Sequence, residues 1–63
     1  MIGNVTAWGR RGYTILEEGD LDPVTRMLRV RHYLVADRNG ETVPQRFPSL
    51  EVARAYIEAL EEQ

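Results

Sequence analysis

The chain has 63 residues, with eight arginines and ten acids for a formal net charge of −2, one histidine, one tryptophan and no cysteine. A chain of this length forms one domain, residues 1–63, and buries only about 60% of the surface its unfolded form exposes, so its core is small. The lack of cysteine excludes a disulfide framework and a cysteine-ligated structural metal. Packing, a partner or a homodimer must supply the stability.

The first segment, Met-Ile-Gly-Asn-Val-Thr-Ala-Trp-Gly-Arg-Arg, has no long apolar run. That argues against a signal peptide or membrane span and makes a cytoplasmic location the expectation. Met1 leads to the expectation of a complete chain. Residues 1–46 carry seven arginines and six acids, net +1, whereas residues 47–63 carry one arginine and four acids, net −3. All eight cations are arginine and none is lysine. A GC-rich genome explains this bias simply. Guanidinium forks that grip carboxylates or phosphates explain it functionally.

In chain order, residues 2–8 are a weak first strand and Gly9-Arg10-Arg11-Gly12 a turn. Residues 13–18 are β-rich and predict a strand. Residues 19–25 are a loop, with Asp22-Pro23 as turn initiator. Residues 26–37 form the longest strand, with Leu28, Val30, His32, Leu34 and Ala36 on one face and Arg29, Arg31, Tyr33 and Val35 on the other. Asn39-Gly40 predicts a two-residue type I′ hairpin. That loop pairs Arg38 with Glu41, Ala36 with Val43, Leu34 with Gln45 and His32 with Phe47. It sets Tyr33 across from Arg46 and Val35 across from Pro44. The proline makes residues 41–47 an edge strand.

Residues 47–63 give the clearest signal. Ser49 is the expected N-cap, Pro48 blocks helix behind it, and Glu51 suits the helix dipole. Ala53, Tyr56, Ile57 and Leu60 form an apolar stripe, widened by Leu50 and Val52, with Glu51, Arg54, Glu58, Glu61 and Glu62 mostly opposite. The stripe is expected to cover Leu28, Val30, Leu34, Val43 and Phe47. The fold class is therefore α+β: an antiparallel sheet of three strands, four if residues 2–8 join it, with one C-terminal helix on one face.

No constellation for catalysis or metal binding emerges, and no cofactor is expected. His32 is a lone histidine in an apolar alternation and reads as structural. Asp20 and Asp22 lack the further oxygens of a calcium loop and read as solvated turn residues. Residues 9–12 could hold an anion through amides and guanidinia, although a plain turn is the simpler reading. The strongest feature is the expected joint projection of Arg29, Arg31, Tyr33 and Arg46 from the sheet face away from the helix. Trp8, Arg10 and Arg11 extend this surface if the first hairpin packs beside it. Arginine with aromatics suits a protein interface and equally suits nucleic acid. A solvated face with Arg46 stacked on Tyr33 is the simplest alternative.

Strands followed by Arg46-Phe47-Pro48-Ser49-Leu50 and Glu51-Val52-Ala53-Arg54-Ala55-Tyr56 resemble the APETALA-type DNA-binding domain and the related N-terminal domains of phage integrases. The resemblance spans residues 13–60 and is detailed only at 47–57. It implies a three-stranded sheet backed by a helix, with Arg29, Arg31 and Arg46 reading the major groove. The family's sheet tryptophans have no counterpart in the long strand, where Tyr33 is the sole aromatic. The net charge is negative, whereas phosphate binding favours a basic domain. The leading expectation is a small non-catalytic module of phage or mobile-element type that binds a protein through the Arg/Tyr face or the edge strand. Sheet-face DNA binding is the alternative, and a membrane is not an expected partner.

Overall fold

The β-branched and aromatic runs build three strands in the computed structural model, which describes residues 1–62. These are β1 (Ile2–Trp8), β2 (Tyr13–Leu21) and β3 (Leu28–Ala36), joined antiparallel in the order β1-β2-β3. One helix, α1 (Leu50–Glu61), lies on one face of the sheet. The α+β class is as expected, but the sheet's membership differs. Residues 2–8 form a full edge strand, β2 runs three residues further than predicted, and residues 41–47 form no strand. That segment touches β3 only through isolated bridges, Ala36 to Thr42 and Tyr33 to Phe47. Between the Val43–Val35 and Phe47–Tyr33 bonds the return has three residues, Pro44, Gln45 and Arg46, where β3 has only Leu34, and this mismatch breaks the ladder.

The register of that return is the main correction. The loop is Arg38-Asn39-Gly40, three residues, with the Gly40 amide donating to the Asp37 carbonyl (3.0 Å) and the Asp37 amide donating to Glu41 (2.9 Å). Gly40 has φ +86°, while Asn39 is not in the left-handed region, so the turn is type I closed by a glycine bulge rather than type I′. Asp37 Oδ1 accepts from the Asn39 and Glu41 amides at 2.9 and 3.0 Å and holds this geometry. Ala36 therefore faces Thr42 instead of Val43. A slip of one residue exchanges the faces of a strand. Val43 now donates to the Val35 carbonyl (2.8 Å) and Phe47 pairs with Tyr33.

The core is Ile15, Val35, Phe47, Ala53 and Ile57, flanked by Trp8, Tyr13, Tyr33, Val43, Leu50 and Tyr56. The helix thus covers the Tyr33/Val35 face, not the Leu34 face that alternation suggested. The Phe47 and Tyr56 rings meet at 5.0 Å. Ser49 caps the helix, its Oγ accepting from the Val52 amide at 3.2 Å. Val52 itself is exposed rather than part of the apolar stripe. Arg54, expected on the solvent side, lies over Trp8 with its Cζ 4.3 Å from the ring centroid.

A second irregularity shifts the far end of β3. Glu18 pairs with His32 but Gly19 pairs with Val30, which leaves Arg31 as an extra residue. This bulge reverses the alternation. Leu28 and Val30 consequently share the side of Tyr33 and Val35. Consistent with this, a methyl at Gly3 would collide with both Leu28 and Glu17, the residue across from Tyr33. A 12-residue helix is about 18 Å long and a nine-residue strand about 30 Å. The helix therefore covers one end of the sheet, and the molecule extends 44 × 20 × 18 Å. Leu21 and Val30 lie beyond its reach and remain exposed.

Candidate functional site

The uncovered face of the sheet follows from the register. Val5 and Ala7 of β1 lie beside Leu16 and Thr14 of β2, which lie beside Leu34 and Ala36 of β3. Leu16 and Leu34 are partly buried by their neighbours, while Ile2 and Val5 are open, Val5 at 57% exposure. Along one margin of this apolar centre runs a row of charges. Glu18 and His32 are directly opposite one another and their side chains pair. Arg46 reaches the same carboxylate, its Nε 3.9 Å from Glu18 Oε1. Arg31 Nε lies 2.7 Å from Asp20 Oδ2, and Arg29 lies 3.2 Å from Asp22 Oδ2.

Three of the expected surface residues, Arg29, Arg31 and Arg46, therefore do share the face away from the helix. Each is met by a carboxylate from β2 or the loop after it. Tyr33 does not join them. It pairs with Phe47 and packs on the core beneath the helix, because the slipped register turns it inward. Trp8 is also on the helix side, directly across from Tyr13 and covered by Arg54. Arg10 and Arg11 sit in the β1–β2 turn, beyond the end where Thr14 meets Ala36, whereas Arg29 meets Asp20 at the other end. The expected surface is thus split. The Arg46–Tyr33 stack is not formed, since the two side chains leave opposite faces, and the cation–π pair that does form is Arg54 on Trp8.

Sequence reasoning missed the partners. Glu18 is the carboxylate set against His32, which no local spacing could reveal because the two residues are joined only by the β2–β3 register. The apolar centre was missed with it, because Leu34 had been placed under the helix. The loop after β2 is more ordered than a solvated turn. Asp22 Oδ1 accepts from the Val24 and Thr25 amides at 2.8 and 3.2 Å, and the Asp22 carbonyl accepts from Arg26, which has φ 60°. Those two amides, with help from Arg29, hold the Asp22 carboxyl below the ordinary carboxylate range.

Among the described residues no cluster of His, Asp and Glu is arranged to hold a metal ion, and no helix is long and apolar enough to cross a membrane. Comparison with known protein families, curated proteins and solved structures finds no match.

Proposed function

We infer that the chain is a small non-catalytic binding module that docks a protein partner on the uncovered face of its sheet. The observation that carries this reading is the anatomy of that face: an apolar centre of Val5, Leu16 and Leu34 edged by Arg29, Arg31, Arg46 and their acidic neighbours. Protein interfaces have this arrangement, an apolar core depleted of charge within a polar rim. The mixed signs of the rim favour a partner with its own pattern of charges over a uniformly anionic one. On a DNA-reading face the guanidinia would need to meet phosphates, and here Asp20, Asp22 and Glu18 compete for them.

The deciding experiment measures capture of partner proteins alongside fluorescence anisotropy with generic duplex DNA at low and moderate salt. Protein capture should weaken in Val5→Asp and in Arg31→Ala or Arg46→Ala, while DNA binding stays absent. Steeply salt-dependent DNA binding that weakens in the same arginine variants would replace this reading with the integrase-like one. Capture unchanged by all three substitutions would remove the face from the account altogether.

A further inference from the structure

The two hairpin turns at the helix-covered end of the sheet meet side by side. Between them is an open cleft of about 740 Å³ lined by Arg10, Arg11, Gly12, Tyr13, Asp37, Arg38 and Asn39. The contact between the turns is close: a Cβ on Gly12, which has φ +82°, would lie 2.9 Å from the Arg38 Cβ. Glycine therefore lets Arg11 and Arg38, 27 positions apart in the chain, stand on touching turns. Among the described residues none of Arg10, Arg11 and Arg38 has a carboxylate within 4.0 Å, in contrast to Arg29, Arg31 and Arg46. The cleft's own carboxylate, Asp37, is engaged by the Asn39 and Glu41 amides. Glu61 accepts from the Arg10 backbone amide at 2.7 Å, so Arg10 stands between the cleft and the acidic helix end. Arg11 and Arg38 have no such tie to the helix among the described residues, and both line the cleft.

We propose that this cleft binds a phosphate monoester or inorganic phosphate, gripped by Arg11 and Arg38 with Arg10 beside them. Three guanidinia line the cleft against the single carboxylate of Asp37; this excess of like charge is unfavourable, and a divalent anion offsets it. Arginine forks match the oxygens of phosphate in pairs. A phosphate monoester presents three acceptor oxygens and about −1.5 to −2 of charge. A carboxylate or an internal phosphodiester presents two free oxygens and a single charge, too few for three guanidinia. The site is independent of the sheet face, which lies around Leu16 and Leu34.

The test follows backbone amide shifts by NMR during titration at constant ionic strength. The four probes are inorganic phosphate, a 5′-mononucleotide, a dinucleotide without terminal phosphate, and acetate. Saturable shifts at residues 10–13 and 37–40 are expected with the first two probes and not with the last two. Arg11→Ala and Arg38→Ala should each weaken binding about tenfold or more, while Arg31→Ala leaves it unchanged. Both altered side chains are exposed on turns, and circular dichroism checks that each variant is folded. Equal affinity for phosphate and the nucleotide marks a site for the free ion. Tighter nucleotide binding marks a phosphoryl group carried on a larger ligand. An equal response to acetate, shifts centred on the sheet face, or undiminished binding in Arg38→Ala would overturn the proposal.

Discussion

Ile57 is fully buried, and its side chain fills the space between the helix and Ile15, Val35 and Phe47. Truncation there leaves a cavity that so small a core cannot close. Ile57→Ala should cost about 2–5 kcal/mol, a large share of the roughly 5–15 kcal/mol typical of a folded domain. Urea denaturation measures the loss directly. Asp22 acts through charge rather than volume. Its carboxyl is lowered by hydrogen bonds from the Val24 and Thr25 amides and by Arg29. A lowered folded-state pKa means the stabilisation is complete above the unfolded value, about 3.9, and is lost as pH falls through the folded one. Asp22→Asn keeps an oxygen for the loop amides but cannot ionise. Its stability should therefore depend less on pH than the parent's on the acid side of pH 4, in denaturation curves taken at stepped pH.

At the scale of elements, the helix was legible almost to the residue, because Pro48, Ser49 and the 53/56/57/60 spacing are local signals. The hairpin was legible in position but not in register. Asn39-Gly40 serves a two-residue type I′ loop and a three-residue loop closed by a glycine bulge equally well. Asp37 decides between them by accepting two loop amides through its side chain. From that single residue the inward turn of Tyr33, Val43 and Phe47 follows, and with it the loss of Tyr33 from the candidate site. The bulge at Arg31 was hidden for a related reason: residues 28–35 alternate acceptably as an unbroken strand. Only the meeting of Arg29 and Arg31 with the acids of β2 and its loop makes the shift visible. The register can be tested by deletion. Removing Arg38 leaves Asn39-Gly40 as a two-residue loop between the same partners, Asp37 and Glu41, so the core pairing survives. Removing Thr42 turns Val43 away from the core. Thermal melts by circular dichroism should show a much lower Tm for the Thr42 deletion than for the Arg38 deletion, and the reverse order would contradict the register.

Over the whole molecule, the mismatch between a short helix and long strands divides the sheet into a covered and an uncovered half. Ile15 and Val35 sit under the helix, while Asp20–Leu21 and Leu28–Arg29 form a two-stranded ribbon extending beyond it. Ribbons without a packed face open at low free-energy cost. Amide exchange at residues 20–21 and 28–29 should therefore be markedly faster than at Ile15 and Val35, and uniform protection along β2 would show that something else holds the far end. The same elongation explains why one contiguous site was expected and two surfaces are found. The predicted site residues occupy opposite ends and opposite faces of a body 44 Å long.

β1 is the outer strand of the sheet, and its seven residues, Ile2 to Trp8, include no charge and no proline. Natural proteins usually protect such an edge with lysine, proline or a distortion. Here the distortion is the irregular pairing between Ile2 and Val5. In concentrated solution each molecule offers its neighbours a template for strand addition, so light scattering is expected to grow with concentration as well as with heat. Clarity on storage is thus expected to depend on one irregular step near Gly3 and Asn4.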